Sequence, residues 1–154
     1  MIRRLLIIAI ALTIPFLLVA ANIRLVATPW FIQFEYNRPG FPVDVYGFTL
    51  EQRTPLALAG LSSVVPEGAG MIELERAKLP NGEPAFTPRE IKHMVDVRAL
   101  MATVFPLALI ISSVLVILAI IFRKHPFYRA AVPQGLRAGA MLTLILLAGL
   151  IAYI

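Results

Sequence analysis

The chain of 154 residues contains no cysteine. This absence excludes a disulfide framework, a thiol nucleophile and a cysteine-ligated zinc ion. Acidic residues are missing from both ends of the chain, because all nine lie between positions 35 and 96. The sequence also lacks a Gly-rich phosphate loop and a Gly-x-Ser-x-Gly element, and we expect no cofactor.

Apolar residues, in contrast, make up 59% of the chain, which is typical of a membrane protein rather than of a soluble domain of this length. The segments outside positions 35–96 carry eight cations and no anion. These cations border apolar runs and do not form a stripe with interleaved aromatic residues. They therefore indicate membrane topology and a lipid environment, and no nucleic-acid partner.

Three uncharged runs are long enough, or nearly so, for the ~20 residues that a helix needs to cross the hydrocarbon core. They predict transmembrane helices at residues 5–23, 99–122 and 138–154. The first run could instead be a cleaved signal peptide, with Val19-Ala-Ala21 as its small-residue site. Its 19 residues without a polar C-terminal region favour an uncleaved span.

Positively charged residues mark the cytoplasmic ends of membrane helices. They precede the first run and fill the loop between the second and the third, as Arg3, Arg4, Arg123, Lys124, Arg129 and Arg137. We therefore expect a cell-membrane protein with a cytoplasmic N-terminus, an extracytoplasmic domain at 24–98 and a cytoplasmic loop at 123–137.

The extracytoplasmic domain is predicted to be small and mixed α/β, within a mainly α-helical membrane protein. Trp30-Phe-Ile-Gln-Phe-Glu-Tyr36 partly alternates, so it is either a strand or an aromatic stretch resting on the lipid headgroups. Thr49-Leu-Glu-Gln52 has the spacing of a capping box and predicts a short helix through residues 55–61. A second short strand is predicted from Met71 to Leu74.

One histidine lies just before the second apolar run. Thr87-Pro-Arg-Glu90 predicts a helix start, and nothing breaks that helix before Pro106. His93 stands six residues before Ala99, which is ~9 Å along the helix axis. That distance corresponds to the depth of the lipid headgroups.

Glu90, His93 and Asp96 recur at every third position and share a spiralling face of this helix. A carboxylate beside an imidazole can hold its tautomer and raise its basicity, which suits proton transfer. Two alternatives remain open. The face could be a solvated, ion-paired surface that includes Lys92 and Arg98, or the three residues could bind a metal, although three ligands on one helix rarely converge on one ion.

The second histidine and two serines give weaker indications of a catalytic site. His125 lies in the predicted cytoplasmic loop, so it cannot pair with His93. Ser62 and Ser63 have no histidine in their local sequence, and a Ser-His pair with His93 would rest only on a shared domain.

Two segments carry a family resemblance: Val45-Tyr-Gly-Phe-Thr-Leu-Glu-Gln-Arg53, and Phe86-Thr-Pro-Arg-Glu-Ile-Lys-His-Met-Val-Asp-Val-Arg98 leading into a span. With the preceding single span, they resemble the bacterial lipoprotein intramolecular transacylase family. The resemblance extends over essentially the whole chain and is most specific around His93.

The resemblance implies transfer of an acyl chain within one diacylglyceryl-cysteine lipoprotein, from the sn-2 glycerol oxygen to the N-terminal amine. The product is a lyso-form lipoprotein, and the diacylated lipoprotein is the expected partner. His93 matches the catalytic histidine of the family. Supporting candidates are Glu90, Asp96 and Arg98, and substrate-binding candidates are Tyr46, Glu51 and Arg53. Arg98, Arg53 or a backbone amide could stabilise the oxyanion.

The family pattern also implies a fourth span and a second functional histidine, in a Phe-His segment after the third span. That histidine does not occur in this sequence, which ends at Ile154. We expect the sequence to be a piece of a longer protein; the alternative is a shortened homologue without activity.

A function from another class is a non-catalytic accessory or lipid-binding subunit whose outer domain docks on a partner. A transporter is disfavoured, because the predicted spans hold no ionisable residue in mid-membrane. The sequence does not determine the oligomeric state.

Overall fold

The computed structural model of the protein describes residues 2–45 and 47–154. Helices make up 77% of the described residues, so the fold is mainly α-helical as predicted. The described residues contain no β-strand and only one isolated bridge, between Lys78 and Pro84. The helices are α1 (Ile2–Val26), α2 (Pro29–Asn37), α3 (Leu50–Val64), α4 (Met71–Arg76), α5 (Pro88–Ile121) and α6 (Pro126–Tyr153).

The prediction of a mixed α/β domain is wrong, and its first strand is helix α2. Thr28 caps this helix through its hydroxyl oxygen, and Pro29 occupies the first helical position, where its missing N–H is not needed. Ile32 and Tyr36 are half-buried while Phe34 is exposed. This spacing of four residues is helical, and the short apparent alternation in the sequence concealed it.

The second predicted strand is the short helix α4. It follows Gly70, whose φ of +75° is a conformation that favours glycine. The loop before it packs so tightly on the end of α3 that a Cβ at Gly68 would lie 1.9 Å from the carbonyl oxygen of Ser62. Leu74 is 1% exposed, so α4 forms because this leucine enters the small core beside α3.

Three helices, α1, α5 and α6, are long and apolar enough to cross a membrane, and this number agrees with the number of predicted transmembrane helices. With 34 residues, α5 is longer than the ~20 that the hydrocarbon core requires. Its charged residues all precede position 99. The apolar part of α5 is thus long enough for a span by itself, and the charged residues are confined to the N-terminal part of the helix.

The chain forms two compact units, one containing residues up to Asn22 together with 106–154, the other residues 23–105. In the first unit, α1 and α6 are in close contact through glycines of α6. A Cβ at Gly135 would lie 2.7 Å from Cβ of Ile10, and one at Gly139 would lie 2.6 Å from Cβ of Ile14. Small residues at such positions let membrane helices approach closely.

The second unit is built around α3, which contacts both α2 and α4. Thr49 and Gln52 form the predicted capping box at its start. Ser63 and Val65 are buried where α3 ends. The charged N-terminal part of α5 belongs to this same unit and carries the predicted catalytic histidine.

Candidate functional site

The start of α5 is fixed by reciprocal hydrogen bonds between Thr87 and Glu90. The backbone N–H of Glu90 donates to the Thr87 hydroxyl oxygen at 3.3 Å. The Glu90 carboxylate accepts from the Thr87 backbone N–H at 2.7 Å and from the Thr87 hydroxyl at 2.8 Å. This arrangement satisfies amides that a helix start leaves unpaired, so the predicted helix start is confirmed.

These hydrogen bonds also favour the charged form of Glu90, which lies in the part of α5 that precedes the apolar run. The Thr87 backbone N–H, and next the Thr87 hydroxyl, hold the pKa of the Glu90 carboxyl below its ordinary value. Glu90 is therefore an anion at neutral pH, one helical turn before His93.

His93 is exposed on the first turns of α5. It lines an open concavity of about 470 Å³, the His93 concavity, together with Phe86, Arg89, Glu90 and Met94. Its volume falls within the roughly 300–1,000 Å³ common for small-molecule sites. Three polar residues, Arg89, Glu90 and His93, thus line one solvent-accessible space beside two apolar side chains.

The structure brings Glu90 into this concavity with His93 but does not join them by a hydrogen bond. Within residues 2–45 and 47–154, no hydrogen bond links the His93 imidazole to Glu90 or to Asp96. The Glu90 carboxylate is engaged by Thr87 instead. Asp96 is exposed on the same helix. In this part of the chain, no three His, Asp or Glu side chains are grouped closely enough to hold a metal ion.

Arg98 is directed away from the concavity, toward the end of α3. One guanidinium nitrogen, Nη1, donates to the carbonyl oxygens of Ser63 and Val65 at 2.9 and 3.0 Å. The other, Nη2, donates to the carbonyl oxygen of Pro66 at 3.4 Å. Carbonyls at the end of a helix lack intrahelical partners and carry partial negative charge, so Arg98 caps α3 and fixes α5 to it.

Arg53, predicted to bind substrate, is held by aromatic rings in the second unit. Its Cζ lies 4.5 Å from the ring centroid of Phe41 and 5.1 Å from that of Tyr36. Nη1 donates to the carbonyl oxygen of Pro42 at 3.1 Å, and Nε is buried without a hydrogen-bond partner among the described atoms. Arg53 therefore fixes the loop before α3 against α2.

The remaining predicted binding residues are less defined. Glu51 is exposed in the first turn of α3, and Tyr46 lies outside the described residues. Of the described substrate-binding candidates, neither Glu51 nor Arg53 lines the His93 concavity.

Sequence reasoning missed Arg89 as a site residue. It lies four positions before His93, and side chains with this spacing are neighbours on one helix face. This four-residue spacing from His93 could have identified Arg89 as a site residue, but Arg89 was considered only as part of the helix start. Phe86 and Met94 were missed as well, because which side chains surround an open concavity depends on the tertiary fold.

The two serines weighed beside His93 are occupied elsewhere. The Ser63 hydroxyl donates to the carbonyl oxygen of Gly60 at 2.7 Å, and Ser63 is fully buried. The Ser62 hydroxyl oxygen accepts a hydrogen bond from the backbone N–H of Ala69 at 3.0 Å. Both hydroxyl groups stabilise the end of α3 and the following loop.

Comparison with known proteins agrees with these features. The family model described as "Lipoprotein intramolecular transacylase Lit" matches residues 6–154. A protein of Aquifex aeolicus (strain VF5), named "Uncharacterized protein", is 36% identical over 112 residues, which cover 73% of this chain and 51% of that protein. The chain thus spans about half the length of this curated relative. No solved structure matches this chain. The family match covers nearly the whole chain, and the three apolar helices fit a multi-pass membrane protein: the chain belongs to the lipoprotein intramolecular transacylase family.

Proposed function

We propose that the protein transfers an acyl chain within a diacylglyceryl-cysteine lipoprotein. The chain moves from the sn-2 glycerol oxygen to the N-terminal amine of the same cysteine and leaves a lyso-form lipoprotein. The observation that carries this proposal is the position of His93, exposed on the charged N-terminal part of a helix that continues into an apolar span, in a chain of this family.

The reaction needs one group that accepts and returns a proton. The α-amine has a pKa of ~8, so its neutral form is accessible near pH 7 and attacks the ester carbonyl carbon. As the nitrogen–carbon bond forms, His93 accepts the proton that the nitrogen loses. When the carbon–oxygen bond to glycerol breaks, the imidazolium returns that proton to the departing sn-2 oxygen. Donor and acceptor belong to one molecule, so the remaining task is orientation.

We assign oxyanion stabilisation to Arg89 rather than to Arg98. The tetrahedral intermediate places a negative charge on the former carbonyl oxygen, and a cation that faces the same space stabilises it. Arg89 lines the His93 concavity. The guanidinium of Arg98 instead donates to carbonyl groups at the end of α3, so Arg98 acts by holding α5.

The remaining predicted residues have supporting roles in the proposal. Glu90 fixes the first turn of α5 and places a negative side chain in the wall of the His93 concavity. Asp96, one turn after His93, adds a second carboxylate to that helix. Glu51 and Arg53, with Tyr46, contact the lipoprotein beyond its reacting ester.

The proposed site faces the outside of the cell. Arg3 and Arg4 precede the first span, and basic residues fill the loop between the second and third. Positive charges favour the cytoplasmic side, so residues 24–98 are extracytoplasmic and His93 lies at the outer leaflet, beside lipid ester groups. Spans at 5–23, 99–122 and 138–154 and a cytoplasmic loop at 123–137 complete the proposed topology.

The test compares His93→Ala with Lys92→Ala, which changes an exposed neighbour outside the concavity. Each variant is expressed from the complete gene in a host that produces a reporter lipoprotein, and the reporter's N-terminus is analysed by mass spectrometry. We expect the N-acyl lyso form with the wild type and with Lys92→Ala, and its loss with His93→Ala. Equal acylation in all strains would instead favour the non-catalytic accessory subunit.

A further inference from the structure

The unit of residues 23–105 contains a second concavity, whose wall does not include His93. This α3 cavity has a volume of about 730 Å³, within the roughly 300–1,000 Å³ common for ligand sites. It shares no lining residue with the His93 concavity. The turn between α1 and α2, one face of α3, the following loop and one residue of α4, Glu73, form its wall.

The wall is mostly apolar, and its polar side chains other than Glu73 are already paired. The hydroxyl of Thr28 donates to one backbone carbonyl at 3.1 Å and accepts from a backbone amide at 3.2 Å. Ser62 accepts from a backbone amide at 3.0 Å. Arg24 forms an ion pair with Glu67. A polar ligand would have to displace these bonds, whereas an apolar ligand only has to leave water.

The cavity lies where α1 leaves its span. Ala27, Thr28 and Pro29 line it, and they directly follow Val26, the last residue of α1. Leu25 and Val26, the two residues of α1 that precede Ala27, are apolar and exposed. An acyl chain is the apolar ligand available at this boundary.

The charges of the wall distinguish between lipids. Arg24 is the only cation among the lining residues, against Glu67 and Glu73, so the wall carries one excess negative charge. Such a wall repels the phosphate of an anionic phospholipid but not an uncharged diacylglyceryl group.

We propose that the α3 cavity binds one acyl chain of the lipoprotein's diacylglyceryl group while the other chain's ester reacts at His93. This inference rests on the proposed function and adds to it a binding site for the chain that is not transferred. Because the two concavities share no residue, the cavity can be altered without changing the reacting groups.

The test uses a synthetic diacylglyceryl lipopeptide with a photoreactive diazirine in its sn-1 acyl chain. The full chain is reconstituted in phosphatidylcholine vesicles, irradiated, and digested for mass spectrometry. We expect the label on residues 55–62 of α3, and its displacement by unlabelled lipopeptide. A label confined to the spans, or one that excess lipopeptide does not displace, would overturn the proposal.

Ala59→Phe places a ring in the cavity, and Ala69→Phe adds the same ring at an exposed position outside its wall. Loss of the α3 label is expected only with Ala59→Phe, and helix content by circular dichroism verifies that both variants fold. If Ala59→Phe does not fold, the displacement experiment on the wild type decides whether the α3 cavity binds the acyl chain. A phosphatidylglycerol that carries the same diazirine should not label α3; equal labelling would assign the cavity to phospholipid and overturn the proposal.

Labelling requires no turnover, so it is separate from the test of the proposed function. Label on α3 without any N-acyl product would retain the cavity as a lipopeptide site and reject the reaction. N-acyl product without label on α3 would retain the reaction and reject the cavity as a lipopeptide site.

Discussion

Arg98 and Ser63 join two helices of the second unit: Nη1 of Arg98 donates to the carbonyl oxygen of the fully buried Ser63 at 2.9 Å. This bond and those to the carbonyl oxygens of Val65 and Pro66 connect α5 to the end of α3. His93 lies five residues before Arg98 on the same helix. The position of the proposed catalytic imidazole therefore depends on this contact.

Arg98→Ala should loosen the end of α3. Charge-assisted hydrogen bonds contribute about 1.5–3 kcal/mol, so removal of this group should destabilise the second unit by an amount of that order. Hydrogen–deuterium exchange of the amides around residues 60–70 measures the change, and Arg89→Ala serves as the exposed control. Unchanged protection in Arg98→Ala would show that the guanidinium does not hold α3.

Gly139→Leu should disrupt the contact between α1 and α6. A Cβ at position 139 would already lie 2.6 Å from Ile14, and overpacking of this kind costs about 1–3 kcal/mol. We expect a lower thermal unfolding temperature in detergent. Gly149→Leu is the matched control, because a Cβ there meets no atom within 4 Å. Equal unfolding temperatures for the two variants would contradict this packing.

The first turn of α5 should loosen in acid. Hydrogen bonds from Thr87 lower the pKa of Glu90, so the carboxylate is favoured in the folded state. Its stabilising contribution is therefore fully present above the ordinary pKa of glutamate, and it disappears as the pH falls through the lowered pKa of the folded state. The protection of the amides at residues 87–93, measured relative to their intrinsic exchange rates, should decrease over that pH range in the wild type. In Glu90→Gln, this pH dependence should be absent.

Trp30 can report how deeply helix α2 lies in the membrane, because it is the only tryptophan in the chain. It is 65% exposed and stacks on Phe34, which is 55% exposed, with ring centroids 5.4 Å apart. The N-terminus of α2 lies three residues after the end of α1, and aromatic residues concentrate at the membrane interface.

We therefore expect Trp30 fluorescence in vesicles to be quenched more by lipids brominated close to the headgroup than by lipids brominated near the chain end. Aqueous acrylamide should quench it weakly, and more strongly after detergent extraction and unfolding. Strong quenching by acrylamide in vesicles, with no effect of brominated lipid, would place α2 in water.

Local signals in the sequence predicted the parts of the fold that local chemistry determines. The three spans follow from uncharged length, and the helix starts at Thr49 and Thr87 follow from cap residues. The segments at α2 and α4 are short, and an apolar pattern over so few residues fits a strand as well as a helix. Their helical state depends on burial against α3, which only the tertiary fold reveals.

The same limit applies to the candidate site. The position of His93 on α5 followed from spacing within one helix. The destination of Arg98 did not, because its partners lie more than 30 residues away in sequence. Arg98 was expected in the site or on a solvated face of α5, yet the open carbonyls at the end of α3 bind it.

The account's central claim is acyl transfer within one molecule at His93, and a crossover experiment tests it most directly. Two synthetic diacylglyceryl lipopeptides of different peptide mass, only one with a deuterated sn-2 acyl chain, are mixed with the purified full-length protein and analysed by tandem mass spectrometry. The account predicts that each N-terminal amine receives its own sn-2 chain, and that His93→Ala forms no N-acyl product. Deuterated acyl chains on the other peptide, or undiminished transfer by His93→Ala, would contradict it.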